Sequence, residues 1–162
     1  MHKNILSSAV VGLMILGLSE SYGSSLQSQM QGINSPDKEI QLAAVRREYR
    51  AIQFLKNPSE EAQLIAVNKN YHAIKYINNP AKETQIAAVK QSYHAIQYIK
   101  NPDKEAQLVA VRQSHQAIGL IKNPDKEIQL AAVEHSYYAI KFIKDPDVDA
   151  VKLYYKKLMG KE

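Results

Sequence analysis

Six prolines stand on one ruler: Pro36, Pro58, Pro80, Pro102, Pro124 and Pro146, each 22 residues from the last. Self-similarity at a fixed period marks a stacked array, because one short unit cannot bury its own apolar face. Five complete units follow, and a sixth opens at Pro146 and diverges. The fourth position of a unit is always Glu: Glu39, Glu61, Glu83, Glu105 and Glu127. The sixth is always Gln: Gln41, Gln63, Gln85, Gln107 and Gln129. The ninth and sixteenth are always Ala, the tenth always Val and the seventeenth always Ile. Invariance inside one chain reports what each unit needs for stacking.

Each unit reads as two short helices. Asn57, Asn79, Asn101 and Asn123 precede Pro and are natural N-caps, with Pro at the first helical position, where its missing N–H costs nothing. Glu60 completes a capping-box arrangement with Asn57. The first helix runs to the invariant valine (Val45, Val67, Val89, Val111, Val133). A second cap follows at Asn70, Ser92, Ser114 and Ser136, with Glu48 departing from the pattern. The second helix covers stretches such as Tyr93 to Ile99. There is no Trp and only two Phe, so Ile, Leu, Val and Ala must build the core. Ala88 and Ala95 allow close helix approach, while Ile86, Val89, Ile96 and Ile99 fill the interior. Helices this short are marginal alone and need their neighbours.

A period of twice eleven also suits a long right-handed coiled coil. Regular prolines behind capping residues argue against that, because each would break a continuous helix. The expected fold is all-α: an elongated α-solenoid of five two-helix repeats over residues 36–145, closed by a C-terminal capping helix over 146–162.

Residues 1–23 differ from the rest. Lys3 precedes a mostly apolar run from Ile5 to Leu18, and Ser21 and Gly23 are small residues around a cleavage point. That is the layout of a secretory signal peptide. An uncleaved anchor is the rival reading, but a spanning helix needs about 20 apolar residues. The expected mature chain begins near Ser24, with a linker over 24–35 and no stable membrane span. It would be secreted or periplasmic. The absence of Cys removes disulfides, thiolate metal sites and a Cys nucleophile.

The motif Asn-Pro-x-x-Glu-x-Gln-Leu-x-Ala-Val-Lys/Arg-Gln-x-x-x-Ala-Ile-x-x-Ile-Lys resembles short helical repeats found in bacterial and phage proteins. It is similar to a repeat family of unknown function and covers about residues 33–145. The resemblance implies an α-solenoid, HEAT-like in architecture, and carries no catalytic residue.

The Glu column compensates helix dipoles on the plainer reading, and forms a cation-binding ladder on the sharper one. The Gln column is a half-buried amide bonded to the neighbouring turn, or else a polar ligand-facing ladder. His72 and His94 share one unit position, with His115 and His135 nearby. Their spacing does not converge on one ion, so no metal and no cofactor is expected.

Basic residues gather late in each helix: Arg46, Arg47, Lys69, Lys90 and Arg112, then Lys56, Lys100, Lys122 and Lys144. They either suit the negative helix end or form a stripe interleaved with Tyr71, Tyr76, Tyr93 and Tyr98. The formal net charge of +5 is mild. Gly119 is the only glycine between Ser35 and Asp145, so no phosphate-cradling loop is present. No nucleophile motif appears, and the chain is not expected to be an enzyme.

The expectation is an exported binding module, foremost a protein-interaction scaffold. The candidate contact residues are Tyr71, Tyr76, Tyr93, Tyr98, Lys69, Lys90, Arg112, Lys100 and Lys122. The alternative is an anionic glycan, lipid or nucleic acid held by the Lys/Arg stripe, with nucleic acid disfavoured by export.

Overall fold

The structure, a computed structural model, describes residues 38–160. The signal-peptide and linker expectations fall outside that range. Every regular element among the described residues is a helix. Long α-helices alternate with six-residue 3-10 helices, and the chain divides into two compact units at Pro80/Ala81.

The first unit holds α1 (Lys38–Arg47), η1 (Tyr49–Phe54), α2 (Glu60–Lys69) and η2 (Tyr71–Tyr76). The second holds α3 (Lys82–Gln91), η3 (Tyr93–Tyr98), α4 (Lys104–Gln113), η4 (His115–Leu120), α5 (Lys126–His135), η5 (Tyr137–Phe142) and α6 (Val148–Leu158). In each unit α packs on the next α and η on the next η, giving the two layers of an α-solenoid.

Two corrections concern where the first helix lies. It starts at the third position of the repeat, not at Pro, and runs two residues past the valine. The cap is therefore the residue after Pro. The Asp103 and Asp147 carboxylates accept the N–H groups of Glu105 and Asp149, each at 2.9 Å. Asp125 accepts from Ile128 at 2.9 Å, and Ser59 from Ala62 at 3.3 Å. Glu60 is simply the first helical residue, so Asn57 and Glu60 form no capping box.

The asparagines have a different task at two places: Asn79 and Asn123 take φ of 51° and 50°. Asn tolerates this left-handed conformation better than most residues. Ala81 occupies a cap position and contributes no side-chain bond.

The second cap falls where the sequence placed it, except that Ser136 stands at the cap position and makes no side-chain cap bond. Asn70, Ser92 and Ser114 accept from the N–H two residues on, at 2.9, 3.3 and 3.3 Å. Glu48 does the same for Arg50 at 3.1 Å, so the departing residue keeps the function. The same residues end the preceding α-helix through their own N–H, bonded to the invariant alanine carbonyl: Asn70 to Ala66 at 3.1 Å, Ser114 to Ala110 at 3.0 Å. One residue thus closes one helix and opens the next. The second helix is 3-10 and stops one residue short, with Ile99 as its C-cap. Such tight helices occur in short pieces.

Val45, Ile52, Val67 and Ile74 are wholly buried in the first unit, and Val89, Val111, Ile128 and Val133 in the second. Ile96 and Ile99 are buried too, but Ile86 is half-buried, because its position faces partly outward. Thr84 and Ile128, at the fifth position, enter the core instead. Ala88 and Ala95 are buried completely, where any larger side chain would hold α3 and η3 apart. The α6 helix closes the second unit and buries only Ala150. No helix among the described residues is long and apolar enough to cross a membrane.

Candidate functional site

In both units the invariant glutamine joins one repeat to the next, at Gln41, Gln85 and Gln129. In the first unit Gln41 Oε1 accepts the Ser59 N–H at 2.8 Å, and its Nε2 donates to the Asn57 carbonyl at 3.4 Å. In the second, Gln85 accepts from Asp103 at 2.8 Å and Gln129 from Asp147 at 2.7 Å. The amide nitrogens of Gln107 and Gln129 donate back to the Pro102 and Pro124 carbonyls at 2.8 and 3.0 Å. Both ends of the Gln41 and Gln129 amides are taken up by backbone, as for a half-buried amide bonded to the neighbouring turn.

The invariant glutamate works at the surface. Lys38 in α1 reaches Glu61 in α2 at 2.9 Å. Lys82 reaches Glu105, and Lys104 reaches Glu127, both at 2.7 Å. Lys126 pairs with Asp149, which stands at that position in α6. The side-chain hydrogen bond from Lys38 holds Glu61 below the usual carboxylate range, and the bonds from Lys126 and Lys152 do so for Asp149. Lys82, Lys104 and Lys126 are raised by the same bonds. A row of carboxylates already carrying ammonium partners is a strap between repeats, not a cation ladder. Among the described residues no group of three His, Asp or Glu side chains converges on a metal-sized site.

The remaining cations behave differently. Lys69 in the first unit, and Lys90, Arg112, Lys100, Lys122 and Lys144 in the second, are exposed. Among the described residues none has a carboxylate within ion-pair distance. Arg46, also in the sequence-derived stripe, lies 3.8 Å from Glu61.

The candidate tyrosines sit on the 3-10 layer. Tyr71 is half-buried with its ring 4.1 Å from that of His72, and the Lys75 ammonium lies 5.4 Å from the Tyr76 ring. Tyr93 stacks on His94 at 4.0 Å and donates its hydroxyl to Gln116 Oε1 at 3.0 Å, so its role is partly structural. Tyr98 is exposed.

Sequence reasoning missed the richest aromatic cluster, on η4 and η5. His115 lies 6.4 Å from Tyr138 and 5.8 Å from Phe142, and Tyr137 stacks on Tyr138 at 4.3 Å. A hydrogen bond with Tyr138 raises the Tyr137 hydroxyl above its ordinary range. Tyr138 and Phe142, both beside the His115 ring, are 48% and 43% exposed. Beside Phe142 lies a concavity of about 570 Å³ lined by both Lys122 and Lys144. The available signal was Gly119, which breaks the repeat pattern at this place.

Compared with protein-family models, curated proteins and solved structures, the chain matches none.

Proposed function

We propose that this chain is a non-catalytic scaffold that binds a protein partner through the 3-10 layer of its second unit. The observation that carries this reading is the division of labour among side chains. The lysines that head the α-helices are neutralised by the next repeat, while the 3-10 layer presents exposed Tyr98, Tyr138 and Phe142 among unpaired cations. Aromatic rings with a large, fairly rigid contact area anchor protein interfaces well, and lysines at the rim govern encounter. The signal-like layout of residues 1–23 supports action after export, as a secreted or periplasmic protein.

The test is capture of a partner from envelope and host extracts by the full chain, compared with a Tyr98→Ser/Tyr138→Ser variant of unchanged melting temperature. The reading expects one partner, retained at high salt and weakened about tenfold by the variant. Capture that the variant leaves untouched would sink it. A glycan or lipid that is released by salt would favour the exposed Lys/Arg positions as an anionic-ligand surface, since screening weakens such contacts.

A further inference from the structure

Repeat four departs from its siblings on one element. The η helices open with Tyr49, Tyr71, Tyr93 and Tyr137, but η4 opens with His115. Their fifth residues are Gln53, Lys75, Gln97 and Lys141, but η4 has Gly119. They end on Phe54, Tyr76, Tyr98 and Phe142, but η4 ends on Leu120. The positions that hold the stack, Ala117 and Ile118, are retained and buried. The departures therefore lie on the part of the element that stacking does not dictate.

They have a spatial result. A Cβ on Gly119 would stand 3.3 Å from the Phe142 Cβ, so a longer side chain would crowd that ring. Next to the bare backbone lies the concavity of about 570 Å³. Ile121 and Phe142 give it an apolar wall, and Lys122, Lys144 and Asp145 line it as well. Cavities of this size suit small ligands or a few residues of a peptide. Neither lysine has an ion-pair partner among the described residues. Two ammoniums against one carboxylate leave the site with a cationic excess.

We propose that this concavity receives an acidic segment of the protein partner. One apolar side chain of that segment lies against Phe142 and Ile121, and an adjacent carboxylate lies between Lys122 and Lys144. The chemistry favours a peptide carboxylate over a phosphate. The site offers two flexible point charges and an apolar wall, without the arginine fork that grips phosphate bidentately. The proposal rests on the scaffold reading and adds the chemistry of the partner.

The experiment uses the full chain, nitrogen-15 labelled, with the Gly119 amide as reporter. It is titrated with a short synthetic peptide of Glu residues carrying one Leu, and with the same peptide carrying Ser in place of Leu. Polyphosphate and anionic phospholipid vesicles serve as comparators. The expected result is a saturable Gly119 shift with the Leu peptide. It should be weakened about tenfold by the Ser replacement and by K122E or K144E, whose exposed positions leave the melting temperature unchanged. Equal response to both peptides, insensitivity to the charge reversals, no shift at all, or tighter binding of polyphosphate or vesicles at Gly119 would each overturn it. Partner capture that persists while the peptide fails would overturn this site and leave the scaffold standing. Loss of both would remove the scaffold reading too.

Discussion

Gln129 and Asp147 are joined by an amide link between repeats: Gln129 Oε1 accepts the Asp147 N–H at 2.7 Å. The Gln129 Nε2 donates at the same time to the Pro124 carbonyl at 3.0 Å. One side chain therefore satisfies a group in its own repeat and one at the mouth of the next helix. Gln129→Leu keeps the volume and removes both bonds, leaving two partly buried backbone groups without partners. The expected cost is about 1–3 kcal/mol in urea unfolding. A loss under about 0.5 kcal/mol, the range of an ordinary surface change, would refute the joint.

Thr84 makes the opposite case. It is wholly buried in α3, and its hydroxyl has no partner among the described residues. Its place in the repeat is otherwise held by Ile40, Ala62, Ala106 and Ile128. Thr84→Val exchanges the hydroxyl for a methyl of similar shape and removes an unpaid desolvation. Stability should be unchanged or rise by about 1 kcal/mol in thermal or urea unfolding. A clear loss would mean that the hydroxyl has a partner.

Asn123 tests the backbone. Its φ of 50° strains any residue with a Cβ, and Ala lacks the local bonding that eases Asn into this region. Asn123→Ala should cost about 1 kcal/mol, while Asn123→Gly should cost nothing. Asn101 stands at the same repeat position without a positive φ, and Asn101→Ala should change stability by less than about 0.5 kcal/mol. Equal effects at Asn101 and Asn123 would contradict the conformational explanation.

Acid should loosen the straps from below. Asp125 is lowered first by the Ile128 backbone N–H, Asp149 by its lysine partners, and Glu61 by Lys38. Carboxylates depressed in the folded state contribute stability that is complete above their unfolded values and disappears as pH falls through the folded ones. Lys82, Lys104 and Lys126 are raised, so their share is complete below the ordinary lysine range and fades as pH rises through the folded values. Melting temperature should be flat between about pH 5 and 10 and drop on both sides. A maximum confined to neutral pH would show that other groups control stability.

Much of the architecture was readable because the repeat states its needs five times. Ile96, assigned to the interior from its column alone, is 1% exposed, and Ile96→Ala should cost about 2–5 kcal/mol in unfolding. The second cap was readable because Asn70, Ser92 and Ser114 have one sensible task at that position. The first was misplaced because Asn-Pro-Asp contains two capable caps. Only packing decides between them: the Gln amide grips the N–H after Pro and fixes that residue as the helix entrance. The 3-10 geometry was hidden because six residues suit either helix.

At the candidate site the tyrosine columns and the basic residues were visible, but not their pairing. That Lys104 is neutralised by Glu127 while Lys122 is not depends on the offset between neighbouring repeats. Gly119 was visible and read only as the lack of a glycine-rich loop. Its meaning needed the approach of Phe142.

The amide joints give the chain a grammar. Three α-helices, through Gln41, Gln85 and Gln129, each punctuate the start of the next helix at the same chain separation. Excising residues 102–123 would bring the Asp125 N–H to Gln85 in place of the Asp103 N–H, and Glu127 to Lys82 in place of Glu105. Loss of one whole module therefore leaves a joint of this kind able to re-form, whereas a slip of a single residue misplaces the joint downstream of it. A gene of this kind can lengthen or shorten by recombination between its own copies, and the stack of helices lengthens or shortens in step. Only the word that breaks the pattern, the glycine-bearing fourth module, is lost with its own excision and cannot be replaced from a neighbour.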